Sequence, residues 1–317
     1  MTATRTIRVG TRASVLARTQ TQHVADALGT SSIEIVPIVT AGDRSAASVA
    51  QLGGTGVFVS ALREALLAGE IDVAVHSFKD LPTAPADGIV IGAVPLREDP
   101  RDALVARDGL TLGELPQGAR VGTGAPRRAA QLRALGLGLQ ILDLRGNVDT
   151  RLGKVASGEL DAVVLALAGL RRLGRDGEVS EILDPIQVLP APAQGALAIE
   201  CRADDEHVLA AVAALDHADS RAAVAAERAV LAALEAGCSA PVGALAVVAE
   251  GDDGPEVFLR ASVTAVDGSA AVRQSATGAL TDAEGVGRRL AADLLADGAD
   301  QMMAATQRSG RDGESST

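Results

Sequence analysis

The first two-thirds of the chain alternates short runs of β-branched and aliphatic residues with segments of helical periodicity. The run IRVG at 7–10 precedes a helical stretch from Ser14 to Leu28, and the run IEIVPIV follows at 33–39. A second helical stretch ends at Gly69, and IDVAVH at 71–76 predicts the next strand. Strands this apolar suit a sheet that helices cover on both faces. The pattern therefore predicts an α/β fold.

The alternation stops at the charged segment LREDPRD and then starts again. Strands are predicted at 103–106, 120–122, 139–144 and 160–167. One helix between them is opened by Pro126, and another runs from Asn147 to Ser157. The Pro-rich segment IQVLPAPAQG ends this second α/β unit. The next apolar run, ALAIECR at 196–202, could return to the first sheet.

The last third of the chain has a different character. An alanine-rich helix near 220–235 leads to three strand-like runs, LAVVAE, VFLRASVTA and AAVRQSA, which are typical of an antiparallel meander, and a helix over 281–297 follows. We therefore predict two α/β domains with mixed sheets and a smaller C-terminal α+β domain with a three-stranded antiparallel sheet. The predicted boundaries are 1–96 with 196–215 for domain 1, 101–190 for domain 2 and 218–306 for domain 3, with a disordered tail at 307–317.

Charge and hydropathy narrow the class of protein. The formal net charge of −12 argues against nucleic acid or an anionic membrane as the main partner. No apolar stretch of about 18 residues occurs, and the N-terminus has no apolar signal region, so a cytoplasmic protein is expected. The two cysteines, Cys201 and Cys238, have no spacing typical of a disulfide framework or a metal site.

Cationic residues are concentrated just after the predicted strands, where open α/β sheets bind their ligands. Lys79 and Lys154 are the only lysines, so nearly all of these cations are arginines, whose planar guanidinium binds carboxylates in a bidentate manner. The arginines at these positions are Arg12, Arg127, Arg128, Arg145 and Arg151. Each alone is compatible with a solvated surface arginine. Together, in a cleft between two domains, they would suit a ligand with several carboxylates.

The segment VGTGAPRR fits an anion site by its own chemistry. It predicts a strand, a Gly-containing loop, Pro126 at the first helical position and a helix N-terminus with unpaired N–H groups. Arg127 and Arg128 in the first turn oppose the helix dipole. An anion at this position would explain that arrangement.

Two further residues have both a structural and a functional interpretation. Asp80 follows the predicted strand at 71–76. Its structural role would be that of a helix cap or a surface ion pair. Its functional role would be that of a fixed carboxylate that stabilises a developing cation. Cys238 lies in the Gly-flanked loop GCSAPVG, where a thiolate can be presented for covalent chemistry. Cys201 lies within an apolar strand, where cysteine is usually an inert small hydrophobe.

The ordered motifs resemble those of hydroxymethylbilane synthases over about residues 7–300. They are VGTRAS, GDRS, VHSFKDLP, REDPRDA, VGTGAPRR, LRGNVDTRL, LALAGLRRLG, PAQGALAIECR and EAGCSAPVG. The resemblance implies two domains similar to periplasmic binding proteins and a third domain that carries a cofactor cysteine. It also implies a monomeric enzyme that condenses four porphobilinogen molecules head to tail, with loss of ammonia, into linear hydroxymethylbilane for tetrapyrrole biosynthesis.

The resemblance also implies residue roles. Cys238 would hold a covalent dipyrromethane primer, and Asp80 would pair with pyrrole N–H groups and stabilise the cation formed when ammonia leaves. The residues implied to bind the cofactor are Lys79, Asp80, Thr123, Arg127, Arg128, Arg172 and Cys238. The residues implied to bind the substrate are Arg12, Ser14, Arg145, Gly146, Arg151 and Gln194. No metal is expected.

The sequence departs from the family pattern in two loops. Gln51 and Thr55 stand where relatives commonly carry lysines, which puts any lysine-dependent contact there in doubt. Gly124, Ala125 and Pro126 replace a more common Ser-Ser-Leu, so backbone N–H groups are expected to compensate for two lost hydroxyls.

Two alternatives to the enzyme stay open at this point. A cytoplasmic binding protein for a small polyanion would explain the arginines but not Cys238. A family member that has lost its activity would be compatible with the altered loops.

Overall fold

The structure is a computed structural model that describes residues 5–29, 32–38, 56–237, 240–251 and 254–303. Within these ranges the strands form two five-stranded mixed sheets and a three-stranded antiparallel sheet, which confirms the predicted fold class. Gln51, Thr55, Cys238 and the predicted tail at 307–317 lie outside the described residues. No described helix is long and apolar enough to cross a membrane.

The elements are numbered in chain order. The strands are β1 (Ile7–Arg12), β2 (Ile33–Ile38), β3 (Val73–Ser77), β4 (Ile89–Ala93), β5 (Asp102–Ala106), β6 (Arg120–Thr123), β7 (Gln140–Asp143), β8 (Ala162–Ala166), β9 (Glu181–Ile182), β10 (Leu197–Arg202), β11 (Val242–Gly251), β12 (Gly254–Thr264) and β13 (Ala271–Ala279). The α-helices are α1 (Val15–Leu28), α2 (Gly56–Leu67), α3 (Pro126–Ala134), α4 (Val148–Ala156), α5 (Leu167–Arg172), α6 (Glu206–Ala213), α7 (Ala218–Ala233) and α8 (Ala283–Ala296).

The chain divides into two units, Met1–Glu98 with Gly195–Arg221 and Asp99–Gln194 with Ala222–Thr317. We call them the first and second unit. The first contains one five-stranded sheet, and the second contains the other five-stranded sheet and the three-stranded one. The division into three domains stays a prediction.

The sheet of the first unit has the strand order β2-β1-β3-β10-β4. Strand β1 pairs in parallel with β2 and β3, whereas β10 is antiparallel to β3 and β4. The predicted return of the run 196–202 to this sheet is therefore confirmed. Strands β1 and β3 end at the same edge of the sheet, so the residues that follow them lie along one edge.

The five-stranded sheet of the second unit has the order β7-β6-β8-β5-β9. Strand β6 is parallel to β7 and β8, and β5 is antiparallel to β8 and β9. Because Asp102 at the start of β5 pairs with Ala166 at the end of β8, an antiparallel strand brings its first residue to the edge where the parallel strands end. This register places a carboxylate among the residues that follow β6, β7 and β8.

The three-stranded sheet packs one face against α7 and α8. Val257 and Leu259 of β12 are fully buried against Val230 of α7 and Leu290 and Leu294 of α8. Burying an aliphatic side chain of this size contributes about 1.5 to 3 kcal/mol. An aliphatic core of this kind compensates for the near absence of aromatic residues, which make up 1% of the chain.

A buried ion-pair cluster lies in the first unit, where Glu200 of β10 is 2% exposed. Arg63 of α2 donates from Nη2 to Glu200 Oε1 at 2.7 Å and from Nε to Oε2 at 3.1 Å. His76 Nε2 lies 3.2 Å from Oε2. Burial raises the pKa of Glu200, but the interactions with His76 and Arg63 outweigh burial and lower the pKa to about 2.

We expect Glu200→Gln to lower stability at neutral pH and to weaken its acid dependence. A lowered folded-state pKa stabilises the protein above the ordinary pKa near 4.5, and this contribution is lost as pH falls from about 4.5 to about 2. The contribution is about 3 kcal/mol. Urea unfolding at several pH values between these limits measures it, with the exposed Glu70→Gln as the control. Parallel pH profiles for wild type and Glu200→Gln would contradict the assignment.

Candidate functional site

In the first unit, the chain leaves β3 through a single 3₁₀ turn, Phe78–Asp80. Phe78 is 4% exposed, and its N–H donates to Ala196 O at 3.0 Å, just before β10. The turn therefore has a buried anchor at its first residue. Lys79 and Asp80 follow that anchor and are both half-buried. No described side chain donates a hydrogen bond to the Asp80 carboxylate, which is consistent with a group available to a ligand.

Two more predicted residues lie along the same edge, at and just after the end of the neighbouring strand β1. Arg12 is the last residue of β1, and Ser14 is the N-cap of α1, with its Oγ accepting from Ala17 N at 3.3 Å. A capping serine of this kind stabilises a helix by about 1 kcal/mol. Ser77 at the end of β3 exchanges hydrogen bonds with the buried Gln20 of α1 at 3.1 and 3.2 Å. This contact joins α1 to the end of β3, next to the turn that carries Asp80.

In the second unit, α3 begins at Pro126, as predicted, and its first turn carries the two predicted arginines. Their side chains are almost fully buried: Arg127 is 3% exposed and Arg128 is 5% exposed. Asp102 at the start of β5, which has no exposed surface, binds both of them. The interpretation of these arginines as solvated surface residues is therefore excluded.

The contacts of Asp102 use both of its carboxylate oxygens. Oδ2 accepts from Arg127 Nη2 at 2.8 Å, and Oδ1 accepts from Arg128 Nε at 2.9 Å. Oδ1 also accepts from Gln194 Nε2 at 2.7 Å. Burial raises the pKa of Asp102, but the charges of Arg127 and Arg128 and the hydrogen bonds outweigh it and hold this pKa well below its usual range. The carboxylate is therefore ionised at neutral pH.

Other donors of the paired arginines bind backbone and amide oxygens. Arg127 Nη1 donates to Leu189 O at 2.5 Å, and Arg128 donates to Val164 O and to Gln194 Oε1, both at 3.2 Å. Arg127 Nε is buried and has no hydrogen-bond partner among the described residues. Burial and the charge of Arg128 lower the pKa of Arg127, although Asp102 opposes this. The cluster is thus held rigidly and contains one cation more than its single carboxylate.

Gln194 is held by the segment that precedes it. Ala193 has a left-handed backbone with φ of 63°, which is unusual for alanine. Its N–H donates at 2.6 Å to Glu227 Oε2, while Glu227 Oε1 accepts from Ala246 N at 2.8 Å. Glu227 of α7 has no exposed surface. This carboxylate therefore stabilises the turn that directs Gln194 towards Asp102 and Arg128.

The remaining predicted residues of the second unit are less buried, apart from Thr123. Thr123 is 3% exposed, and its Oγ1 accepts from Ala125 N at 3.3 Å, so a hydroxyl does support the altered loop. Arg145 after β7 is exposed and contacts Asp143 at 3.3 Å. Arg151 Nε donates to Gly146 O at 2.9 Å, and burial together with the charge of Arg128 lowers the pKa of Arg151. Arg172, at the end of α5, is half-buried.

Gly146 and Gly124 both need to be glycine in this structure. Gly146 has φ of 103°, which only glycine adopts readily. A Cβ on Gly124 would lie 2.4 Å from Leu144 O. The departure from serine at position 124 therefore accompanies a close approach between the loop after β6 and the residue after β7.

The structure describes only one of the two cysteines, Cys201. Cys201 has no exposed surface, which confirms its predicted position in the core, and burial raises its pKa to about 12. Cys238 lies outside the described residues, so its role stays a prediction. Asp102 and Glu227 were not predicted, because Asp102 precedes its strand and Glu227 lies within the alanine-rich helix α7. The signal available for Asp102 was its place in the motif REDPRDA.

Comparisons with known proteins give a consistent result. The family described as "Porphobilinogen deaminase, dipyromethane cofactor binding domain" matches residues 7–210, and "Porphobilinogen deaminase, C-terminal domain" matches residues 221–296. The chain is 60% identical over 304 residues to the porphobilinogen deaminase of Mycobacterium tuberculosis H37Rv, covering 94% of this chain and 98% of that protein. It is 58% identical over 317 residues to that of Nocardia farcinica, covering 97% and 91%.

Among solved structures, the aliphatic sulphonate-binding protein SsuA of Escherichia coli aligns with a TM-score of 0.37 at 18% identity, covering 74% of this chain and 71% of that one.

Proposed function

The chain belongs to the porphobilinogen deaminase family, and we propose that the residues at the strand-end edges of its two five-stranded sheets carry out the family's reaction. The reaction condenses four porphobilinogen molecules head to tail, releasing ammonia and linear hydroxymethylbilane. The observation that carries the proposal is the buried cluster in which Arg127 and Arg128 share the single carboxylate of Asp102. An uncompensated buried cation is costly, and an anionic ligand compensates it.

The described residues fit a dipyrromethane cofactor, which bears acidic side chains. Arg127 Nε is a buried donor without a described partner, and it lies in the first turn of α3, where helix N–H groups favour an anion. When bound, the cofactor supplies the pyrrole end to which substrate units are added. Residues that would hold it are Lys79, Asp80, Thr123, Arg127, Arg128 and Arg172, with Cys238 as the covalent attachment.

Asp80 is the catalytic residue of the proposal. It is half-buried on a turn whose anchor, Phe78, is fixed to the backbone before β10. A carboxylate held in this way can accept hydrogen bonds from pyrrole N–H groups. It can also stabilise the cation that forms when ammonia leaves porphobilinogen. The turn holds the carboxylate in position before the reaction, so the turn need not reorganise as the cation develops.

The proposed substrate contacts follow the charge of porphobilinogen, which carries an acetate and a propionate. Arg12, Arg145 and Arg151 offer guanidinium groups, which bind carboxylates in a bidentate manner. Ser14, Gly146 and Gln194 complete the proposed set with a hydroxyl, a backbone amide and a side-chain amide. The net charge of −12 does not prevent binding of a polyanion. That charge is spread over the whole chain, whereas the arginines provide local positive charge.

We also propose a cytoplasmic monomer that has no nucleic-acid or membrane partner. The acidic net charge supports this, because nucleic acids and anionic membranes attract basic surfaces. Sedimentation velocity of the purified protein tests the monomeric state.

The proposed function is tested by following both porphobilinogen and ammonia. Purified protein is expected to release one ammonia for each porphobilinogen consumed and to form hydroxymethylbilane. A polyanion-binding protein would bind porphobilinogen without releasing ammonia, and that result would overturn the proposal. Equilibrium dialysis under the same conditions separates binding from turnover.

A further inference from the structure

Asp102 contacts three of the proposed ligand-binding side chains in the second unit. It accepts hydrogen bonds from Arg127 Nη2, Arg128 Nε and Gln194 Nε2 at 2.7 to 2.9 Å. Its own backbone is fixed within β5, where Asp102 pairs with Ala166 of β8 and its carbonyl accepts from Leu183 N at 2.9 Å. A rigid strand thus sets the position of the carboxylate, and the carboxylate in turn sets three side chains.

The geometry constrains the two guanidinium planes differently. Arg128 lies against Asp102 through two nitrogens, with Nε at 2.9 Å and Nη2 at 2.8 Å from Oδ1. Arg127 reaches Asp102 through Nη2 alone, and Leu189 O holds its Nη1. Its Nε is left without a described partner. Loss of the carboxylate would remove the contact that the two planes share and leave two like charges buried side by side, each plane then held only by its backbone and amide acceptors.

We propose that Asp102 is a positioning residue, which orients Arg127 and Arg128 to receive the acidic side chains of dipyrromethane without touching that group itself. This inference rests on the proposed function of the two arginines. It differs from a purely structural role, in which Asp102 would only neutralise buried charge and support folding. The two roles make different predictions for the acquisition of the cofactor by the apoprotein.

Asp72 provides a matched control for the loss of a buried counterion. Like Asp102, it has no exposed surface and binds several arginines: Arg5, Arg8 and Arg202 at 2.8 to 3.0 Å. Burial raises its pKa, but the hydrogen bonds from Arg8 and Arg202 hold that pKa well below its usual range. It lies in the first unit, and none of its arginines belongs to the proposed site. Asp72→Asn therefore reports the cost of the same substitution without an effect on the site.

The experiment uses full-length apoprotein made in a cell-free extract depleted of porphobilinogen. Wild type, Asp102→Asn and Asp72→Asn are incubated with porphobilinogen, and intact mass is followed over time for the increment of two linked pyrroles. We expect Asp102→Asn to acquire the increment about 10- to 100-fold more slowly, by analogy with the loss of a partner that orients a metal ligand. Asp72→Asn is expected to load like wild type, although its urea midpoint also falls.

A second pair of variants keeps the test decisive if Asp102→Asn does not fold. Arg127→Gln is compared with the double variant Arg127→Gln/Asp102→Asn, which keeps the net charge of the wild-type cluster. Slower loading of the double variant is expected, because Arg128 loses the carboxylate that holds its Nε and Nη2. Equal loading within this pair would overturn the proposal.

The outcomes separate the inference from the function on which it rests. If wild type never gains the increment, the proposed function fails. If wild type and Asp102→Asn load at the same rate, the function stands and the positioning role of Asp102 is wrong. If Asp72→Asn is slowed as much as Asp102→Asn, the effect is one of general stability, and the positioning role is again wrong.

Discussion

Asp80→Asn is expected to lower the rate of porphobilinogen consumption by at least about 100-fold, the effect typical of removing one electrostatic stabiliser of a transition state. Asparagine has nearly the same shape as aspartate but no charge. It can accept a hydrogen bond from one pyrrole N–H, but it cannot stabilise the cation that forms when ammonia leaves. Because Asp80 lies half-buried on a turn anchored by Phe78, the substitution is expected to leave the turn intact. Steady-state turnover measures the effect.

Asp87→Asn is the matched control for this variant. Asp87 is an exposed carboxylate in the loop that follows the same turn, and it has no proposed role. Its replacement should leave turnover unchanged. If Asp80→Asn turns over porphobilinogen as fast as Asp87→Asn, Asp80 is not the catalytic carboxylate.

Cys238→Ala is expected to abolish turnover completely while the protein stays folded. The covalent primer has no other proposed attachment, and Cys201 cannot replace it, because that thiol is fully buried with a pKa raised to about 12. Rates of hydroxymethylbilane formation and urea unfolding are measured on the same preparation. If Cys238 holds the primer, Cys238→Ala loses hydroxymethylbilane formation and keeps the wild-type urea midpoint.

Cys201→Ala provides the converse control. Removing a buried sulfur from β10 is expected to lower stability by about 1 kcal/mol and to leave turnover in place. Turnover by Cys238→Ala at the rate of Cys201→Ala would show that the primer is not attached through Cys238.

Much of the fold could be predicted because hydrophobic periodicity reports which faces of an element are buried. The return of 196–202 to the first sheet and the start of α3 at Pro126 were both predicted correctly. The predicted strand 160–167 was too long, since β8 ends at Ala166 and α5 begins at Leu167. Apolar residues continue across that boundary, so periodicity alone cannot mark it. Helix α6, Glu206–Ala213, was not predicted.

The site was predicted less completely, because strand direction is a property of the whole sheet. Residues after β3, β6 and β7 were identified from the rule that ligands bind where parallel strands end. Asp102 precedes its strand, and only the antiparallel pairing of β5 with β8 brings it to that edge. The burial of Arg127 and Arg128 also depends on this carboxylate. Local sequence could identify the two cations but not the anion that accompanies them.

Intact mass of the purified protein tests the central claim most directly. After incubation with porphobilinogen, the wild-type chain is expected to exceed its sequence mass by two linked pyrroles, and Cys238→Ala is expected to keep the bare mass. A wild-type chain that remains at its sequence mass would contradict the account, since no covalent primer would then be present at Cys238 or elsewhere.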